Sequence, residues 1–247
     1  MSDRTQKRLS RFENGEALAR NTADWMCESL RQTLGNCAVC LSGGSTPRRL
    51  YELLAEPATA ARMPWSRIHW FFGDERFVPA DHPASNFGMV RTALLSRAPI
   101  PPANIHPIPT NLASPREAAA AYERTLKSFY GAASLDPKRP LFAITLLGLG
   151  EEGHTASLFP DRPALAEDHR WAVAAEGEPE RISLTFPALN SSAEAAFLVG
   201  GQAKRDILAR VLAGDQRLPA ARIRPVGKLH WFVERAALPD AAAGGGQ

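Results

Sequence analysis

The stretch Ala38–Glu56, AVCLSGGSTPRRLYELLAE, decides the architecture. Ala38–Leu41 is a short apolar run of buried-strand type. Gly43 and Gly44 turn the chain, and Pro47, favoured at the start of a helix, opens RRLYELLAE. A strand, a glycine turn and a helix in direct succession are the repeating unit of an α/β fold.

The pattern continues in both directions. Upstream, Leu18, Trp25, Met26, Leu30 and Leu34 define one face of a helix from Glu16 to Leu34, with Gly35 as its stop. Downstream, Ile68–Phe72 reads as a strand, and Ser85 caps a helix through Met89, Val90, Leu94 and Leu95. After a Pro-rich loop, Ser114-Pro115-Arg116-Glu117 has the capping-box pattern and starts a helix that ends near Gly131. Phe142–Leu147 is a strongly apolar central strand. Trp171–Ala175, Arg181–Phe186, Ala195–Val199 and Leu229–Val233 are further strands, and Gln202–Ala213 is a helix stopped by Gly214. Alternation of this kind predicts a mostly parallel sheet with helices on both faces, in a single domain over 1–247. The ends, about 1–11 and 241–247, are polar and expected to be loose. In such sheets ligands bind beyond the carboxyl ends of the strands, so the strand-to-helix loops are where chemistry is sought.

Three loops stand out. Ser42, Gly43, Gly44, Ser45 and Thr46 combine glycine turns, hydroxyls and a helix N-terminus, which suits a phosphate; a tight turn with Thr46 as an ordinary cap is the other reading. The loop lacks the Walker pattern and is not a nucleophile elbow. Asp74, Glu75 and Arg76 follow a strand directly. Taken alone they read as a surface salt-bridge cluster; around a ligand, Arg76 would hold an anion or a developing oxyanion and Asp74 would orient a hydroxyl or water. In Leu146–Pro160, LLGLGEEGHTASLFP, the formal GxGxxG match is set aside, because Pro160 and Pro163 interrupt any long helix after it and no acidic strand end follows at the dinucleotide spacing. His154 on this glycine loop is placed for general-base work, with Glu152 near enough to orient it. The other five histidines read as structural. Arg181 and Lys204, each unremarkable alone, would close around a dianion if the fold brought them to the phosphate loop.

Composition narrows the class. The chain of 247 residues carries 29 basic and 26 acidic residues, a balance that argues against a nucleic-acid footprint. The charged start is no signal peptide and no apolar run is long enough for a membrane span, so a cytoplasmic location is expected. Cys27, Cys37 and Cys40 read as free buried thiols, and no Cys/His set has metal-ligand spacing.

Five segments together resemble the 6-phosphogluconolactonase family: LSGGSTP at 41–47, GDERFVP…SN within 73–86, GLGEEGHTASLFP at 148–160, RISLTFPALN at 181–190 and GGQAK at 200–204. GHTASLFP separates that family from the related glucosamine-6-phosphate deaminases. The resemblance implies a Rossmann-like α/β fold and hydrolysis of 6-phosphogluconolactone to 6-phosphogluconate, the second step of the oxidative pentose phosphate pathway, without metal or organic cofactor. It implies a phosphate held by Ser42–Thr46 with Arg181 and Lys204, His154 as the base that activates water, and Arg76 near the attacked carbonyl. The expected partner is a small sugar-phosphate lactone, with no nucleic acid or membrane, on a monomer or weak homodimer. Two positions depart from the family's usual Asp: Glu152, one methylene longer, and Ala143, early in its strand and read as structural. The competing readings are a deaminase or isomerase on the same scaffold, which would want an acidic residue soon after the histidine, and a non-catalytic sugar-phosphate-binding module.

Overall fold

The computed structural model describes residues 7–239. In chain order the elements are β1 (Lys7–Phe12), α1 (Gly15–Gln32), β2 (Cys37–Leu41), α2 (Ser45–Leu54), α3 (Pro57–Ala60), β3 (Ile68–Phe72), β4 (Asp74–Arg76), α4 (Asn86–Val90), α5 (Pro115–Tyr130), β5 (Phe142–Gly148), β6 (Ala172–Ala175), β7 (Arg181–Leu184), α6 (Phe186–Asn190), β8 (Ser192–Val199), α7 (Arg205–Leu212) and β9 (Lys228–Glu234). Six strands form one parallel sheet in the order β1-β9-β8-β5-β2-β3.

Side chains alternate across this sheet, and the alternation assigns each helix to a face. Glu194 and His230 lie on one side. Ser29 of α1 donates to Glu194 at 2.5 Å, and Trp25 of α1 packs on His230 with ring centroids 5.0 Å apart. Phe71 points the other way and meets Tyr122 and Phe129 of α5. The Tyr122 hydroxyl also accepts from Phe72 N and donates to Phe72 O, which locks α5 to the strand. Leu18, Met26 and Leu30 of the apolar stripe of α1 are fully buried, and Trp25 is half-buried. Each fully buried side chain contributes up to about 1.5–3 kcal/mol, which compensates for the marginal stability an isolated helix would have.

Two helix caps expected from the sequence are formed. Ser85 accepts from Gly88 N and Ser114 from Glu117 N, while Gly131 ends α5 in the left-handed conformation at φ 73°. All three cysteines are free and buried.

Several expectations need correction. Residues 7–11 are not loose: they are the body of β1, paired with β9 at the far end of the chain. The other expected loose segment, 241–247, lies outside the described residues. Leu34 does not join the buried face of α1, because the helix ends at Gln32 and the side chain is 92% exposed. The helix after the glycine turn begins at Ser45, two residues before Pro47. The strands β7 and β6 do not join the parallel sheet. With β4 they form a separate antiparallel sheet, β4-β7-β6, and β4 itself was expected to be loop. Gly73 joins the two sheets: its N–H donates to Leu41 O and its carbonyl accepts from Leu184 N.

Candidate active site

The strand order places the site. From β2 the chain crosses to β3 on one side, whereas β5 neighbours β2 and leads to β8 and β9 on the other. The carboxyl ends of β2 and β5 therefore flank a topological switch point, where α/β sheets open a crevice. A cleft of about 390 Å³ lies there, and all eleven residues singled out from the sequence line it: Ser42, Gly43, Gly44, Ser45, Thr46, Asp74, Arg76, Glu152, His154, Arg181 and Lys204. A larger groove of about 680 Å³ opens at the opposite ends of the strands and contains none of them. Ala143 borders that groove and so stands outside the cleft.

The glycine turn after β2 presents the N-terminus of α2. Its cap is Gly44, at φ 105°, with no side-chain cap and no acidic residue in the first turn. Thr46 is thus not an ordinary N-cap, and no side chain caps the first amides of the helix. Tyr51, fully buried in the same helix, holds Ser42 from both sides: its hydroxyl accepts from Ser42 N and donates to Ser42 O.

Asp74, Glu75 and Arg76 are not a surface cluster. Asp74 and Glu75 are buried. The Glu75 carboxylate accepts from the amides of Arg76, Asn86 and Phe87 and from Ser85 Oγ, which ties the start of α4 to β4. Burial pushes its carboxyl up, and these amides pull against that shift. With alternation, Asp74 and Arg76 face the cleft. Asp74 Oδ2 accepts from Ser157 Oγ at 2.7 Å and Oδ1 from Asn86 Nδ2 at 3.2 Å. Arg76 donates through Nη1 to Ala84 O and Asn86 Oδ1, while its buried Nε has no protein partner.

His154 sits on the loop after β5. The bare Cα of Gly150 makes room for it, since a Cβ there would come within 2.0 Å of the ring. Phe159 covers the imidazole at 4.3 Å between centroids, and the guanidinium carbon of Arg181 is 5.4 Å from the Phe159 ring. Nδ1 is buried, and Glu152 Oε2 approaches it to 3.3 Å. The carboxylate thus stands beside the ring, on a side chain one methylene longer than an Asp would be. Burial lowers the imidazole pKa against the opposing pull of Glu152 and Asp74, with Arg181 adding to the lowering, which favours the neutral ring. For Glu152, burial acts upward, but its own backbone N–H, His154 and Lys204 together hold the carboxyl below its usual range.

Arg181 and Lys204 converge on the cleft as well. Arg181 pairs with Arg76 across the β4–β7 ladder, and Lys204 Nζ is 3.7 Å from Glu151 Oε1. The residues not singled out are Asn86, Ser157 and Phe159. The first two carry Asp74 and Arg76, and Phe159 desolvates His154. Each lies inside a family-like segment of the sequence, but nothing in local spacing shows its partner.

With this geometry in place, the relatives can be compared. The family model for glucosamine-6-phosphate isomerases/6-phosphogluconolactonase matches residues 13–231. The chain belongs to this family. It is 43% identical over 208 residues to the 6-phosphogluconolactonase of Synechocystis sp., covering 82% of this chain and 84% of that protein. The human 6-phosphogluconolactonase is 38% identical over 234 residues, covering 91% and 88% respectively. The crystal structure of the Thermotoga maritima 6-phosphogluconolactonase superposes with a TM-score of 0.79 at 33% identity, covering 93% of this chain and all of that one. The expected α/β fold and family are thereby established, and the segment after His154 agrees with the lactonase branch: Ser157 binds Asp74 and Leu158 is fully buried, so neither place offers an acid to the cleft.

Proposed function

We propose that this chain hydrolyses 6-phosphoglucono-1,5-lactone to 6-phosphogluconate in the cleft at the ends of β2 and β5. The observation that carries the reading is the convergence, in one cleft, of an uncapped helix N-terminus with three cations and a half-buried imidazole. The helix N-terminus at Ser42–Thr46, with Arg181 and Lys204, holds the phosphate dianion. That anchoring sets the distance to the lactone carbonyl.

His154 Nε2 takes a proton as water attacks C1, forming the new C–O bond. Arg76 stabilises the tetrahedral oxyanion. Collapse breaks the bond from C1 to the ring oxygen, which takes the proton from the imidazolium. The product is an open-chain acid that ionises at neutral pH. Asp74 and Glu152 keep the charge balance around the base. A lactone is an activated ester, so positioning and one base suffice.

The test is consumption of freshly prepared 6-phosphogluconolactone, corrected for spontaneous opening. A rate equal to the uncatalysed background ends this reading. Release of ammonia from glucosamine 6-phosphate would instead support the deaminase.

A further inference from the structure

We propose that Asn86 is the positioning residue that aims the Arg76 guanidinium at the reacting carbonyl; the proposal rests on the lactonase reading above. Asn86 is the first residue of α4 and is 2% exposed, yet its side chain borders the cleft. Its backbone is fixed before the side chain acts. The Asn86 amide donates to Glu75 Oε1 at 2.7 Å, the next amide donates to Glu75 Oε2, and the preceding Ser85 hydroxyl does the same.

The side-chain amide then bridges two β4 residues. Nδ2 donates to Asp74 O at 3.0 Å and to Asp74 Oδ1 at 3.2 Å, and Oδ1 accepts from Arg76 Nη1 at 3.0 Å. The amide orientation is dictated by these partners, because the reverse assignment would set an NH₂ against the guanidinium. The phosphate loop closes the third side: a Cβ on Gly43 would fall 1.8 Å from Asn86 Oδ1. The amide is therefore held between the phosphate loop and the oxyanion arginine.

Chemistry narrows the residue type at this place. It must accept from a guanidinium on one edge and donate to a carboxylate on the other while carrying no charge. An Asp would set a second carboxylate within 3.2 Å of Asp74. A Leu of similar shape would leave the Arg76 donor and the Asp74 acceptor unpaired. With Nη1 donating to both Ala84 O and Asn86 Oδ1, the guanidinium is anchored at one corner while the residue still lines the cleft.

The experiment is a double-mutant cycle on the full chain with N86A, R76A and the double variant, assayed on 6-phosphogluconolactone, with binding of 6-phosphogluconate measured by calorimetry. N86A is expected to lower kcat by roughly tenfold to a hundredfold, the range for one charged hydrogen bond, with KM and product affinity within about threefold of wild type. In the R76A background the same substitution is expected to cost less than about threefold, because its effect passes through Arg76. N86D, which keeps the size and the acceptor toward Arg76, serves if N86A does not fold. Its kcat relative to wild type should recover as pH falls through the carboxylate range, where protonation restores a donor toward Asp74.

Equal costs of N86A in both backgrounds, a loss confined to KM, or an N86D ratio independent of pH would each overturn the positioning role. If R76A alone retains wild-type kcat, the assignment of the cleft falls, and this inference with it. If R76A is crippled while N86A is not, the lactonase reading stands and this inference alone fails.

Discussion

Arg76 and Arg181 stand directly opposite each other in the antiparallel ladder of β4 and β7. Like charges at such a pair destabilise a sheet, and both Nε atoms are buried without a protein partner. Burial and the neighbouring Arg76 hold the Arg181 guanidinium below its ordinary pKa. An arrangement that is unfavourable in the free protein becomes favourable when an anion lies between the two side chains. Lys204, loosely paired with Glu151 at 3.7 Å, adds a third cation that can exchange a surface partner for a phosphate.

Arg181→Ala and Lys204→Ala should therefore act selectively on phosphorylated substrate. KM for 6-phosphogluconolactone is expected to rise on the order of tenfold to a hundredfold, one charged contact's worth. Turnover of unphosphorylated gluconolactone should change little. Steady-state kinetics on both lactones check this, and equal effects on the two would take these residues out of the phosphate site.

The same relationship predicts ligand-linked stability. Inorganic phosphate or 6-phosphogluconate should raise Tm in wild type, by an amount that corresponds to about 2.7 kcal/mol at a hundredfold excess over Kd. Arg181→Ala should blunt that rise without lowering the Tm of the free protein, since it removes one member of a repelling pair. Calorimetric melts with and without ligand decide it; a free-protein Tm that falls as steeply as the ligand effect would show Arg181 to be structural.

Gly150→Ala should separate chemistry from binding. The added methyl would meet the His154 ring at 2.0 Å and push it from its place under Phe159, while the phosphate loop lies on another strand. Kcat is expected to fall by roughly tenfold or more, with product affinity preserved. A variant with normal kcat would show that the ring position is not critical.

Much of this was legible in the sequence, and the failures have a common cause. Strands β2, β3 and β5 announce themselves as apolar runs because both faces are buried. By contrast, β4 is Asp-Glu-Arg, and β1 is mostly polar. Their strand character comes from partners far along the chain, β7 and β9, which no local window contains. Leu34 kept the helical spacing of Leu30 but fell past the end of the helix, where spacing no longer assigns a face. The cleft follows the same rule. Glycine loops, a histidine and cations are recognisable by type, whereas Asn86 and Ser157 acquire meaning only through Asp74 and Arg76.

Exhaustive chelation should leave the activity intact. Among the described residues, no group of three or more His, Cys, Asp or Glu side chains is arranged to hold a metal ion. The expected outcome is an unchanged lactonase rate after EDTA treatment and desalting. Loss of activity that a divalent ion restores would require a different mechanism.

His154 carries the remaining prediction. Replacing it with Ala should lower kcat by roughly 10²–10⁴, the usual contribution of a positioned base, while 6-phosphogluconate still binds at the phosphate loop. In the proposed mechanism the base works in its neutral form, and burial lowers its pKa from the ordinary imidazole value of about 6.5. In wild type, kcat should thus be fully developed at neutral pH and fall only as pH drops below that ordinary value. Glu152 favours the imidazolium by its charge, so Glu152→Gln should move this acid limb further down, with a smaller loss of kcat than His154→Ala. Glu152→Asp keeps the carboxylate charge near the ring on a side chain one methylene shorter, and it is expected to keep or improve kcat. Initial rates across pH, corrected for spontaneous opening of the lactone in alkali, give the limb. A folded His154→Ala enzyme that binds product and turns over near the wild-type rate would move the search for the base to Asp74 or Glu152. An acid limb in Glu152→Gln that shifts upward instead would show that this carboxylate does not act on the imidazole through its charge.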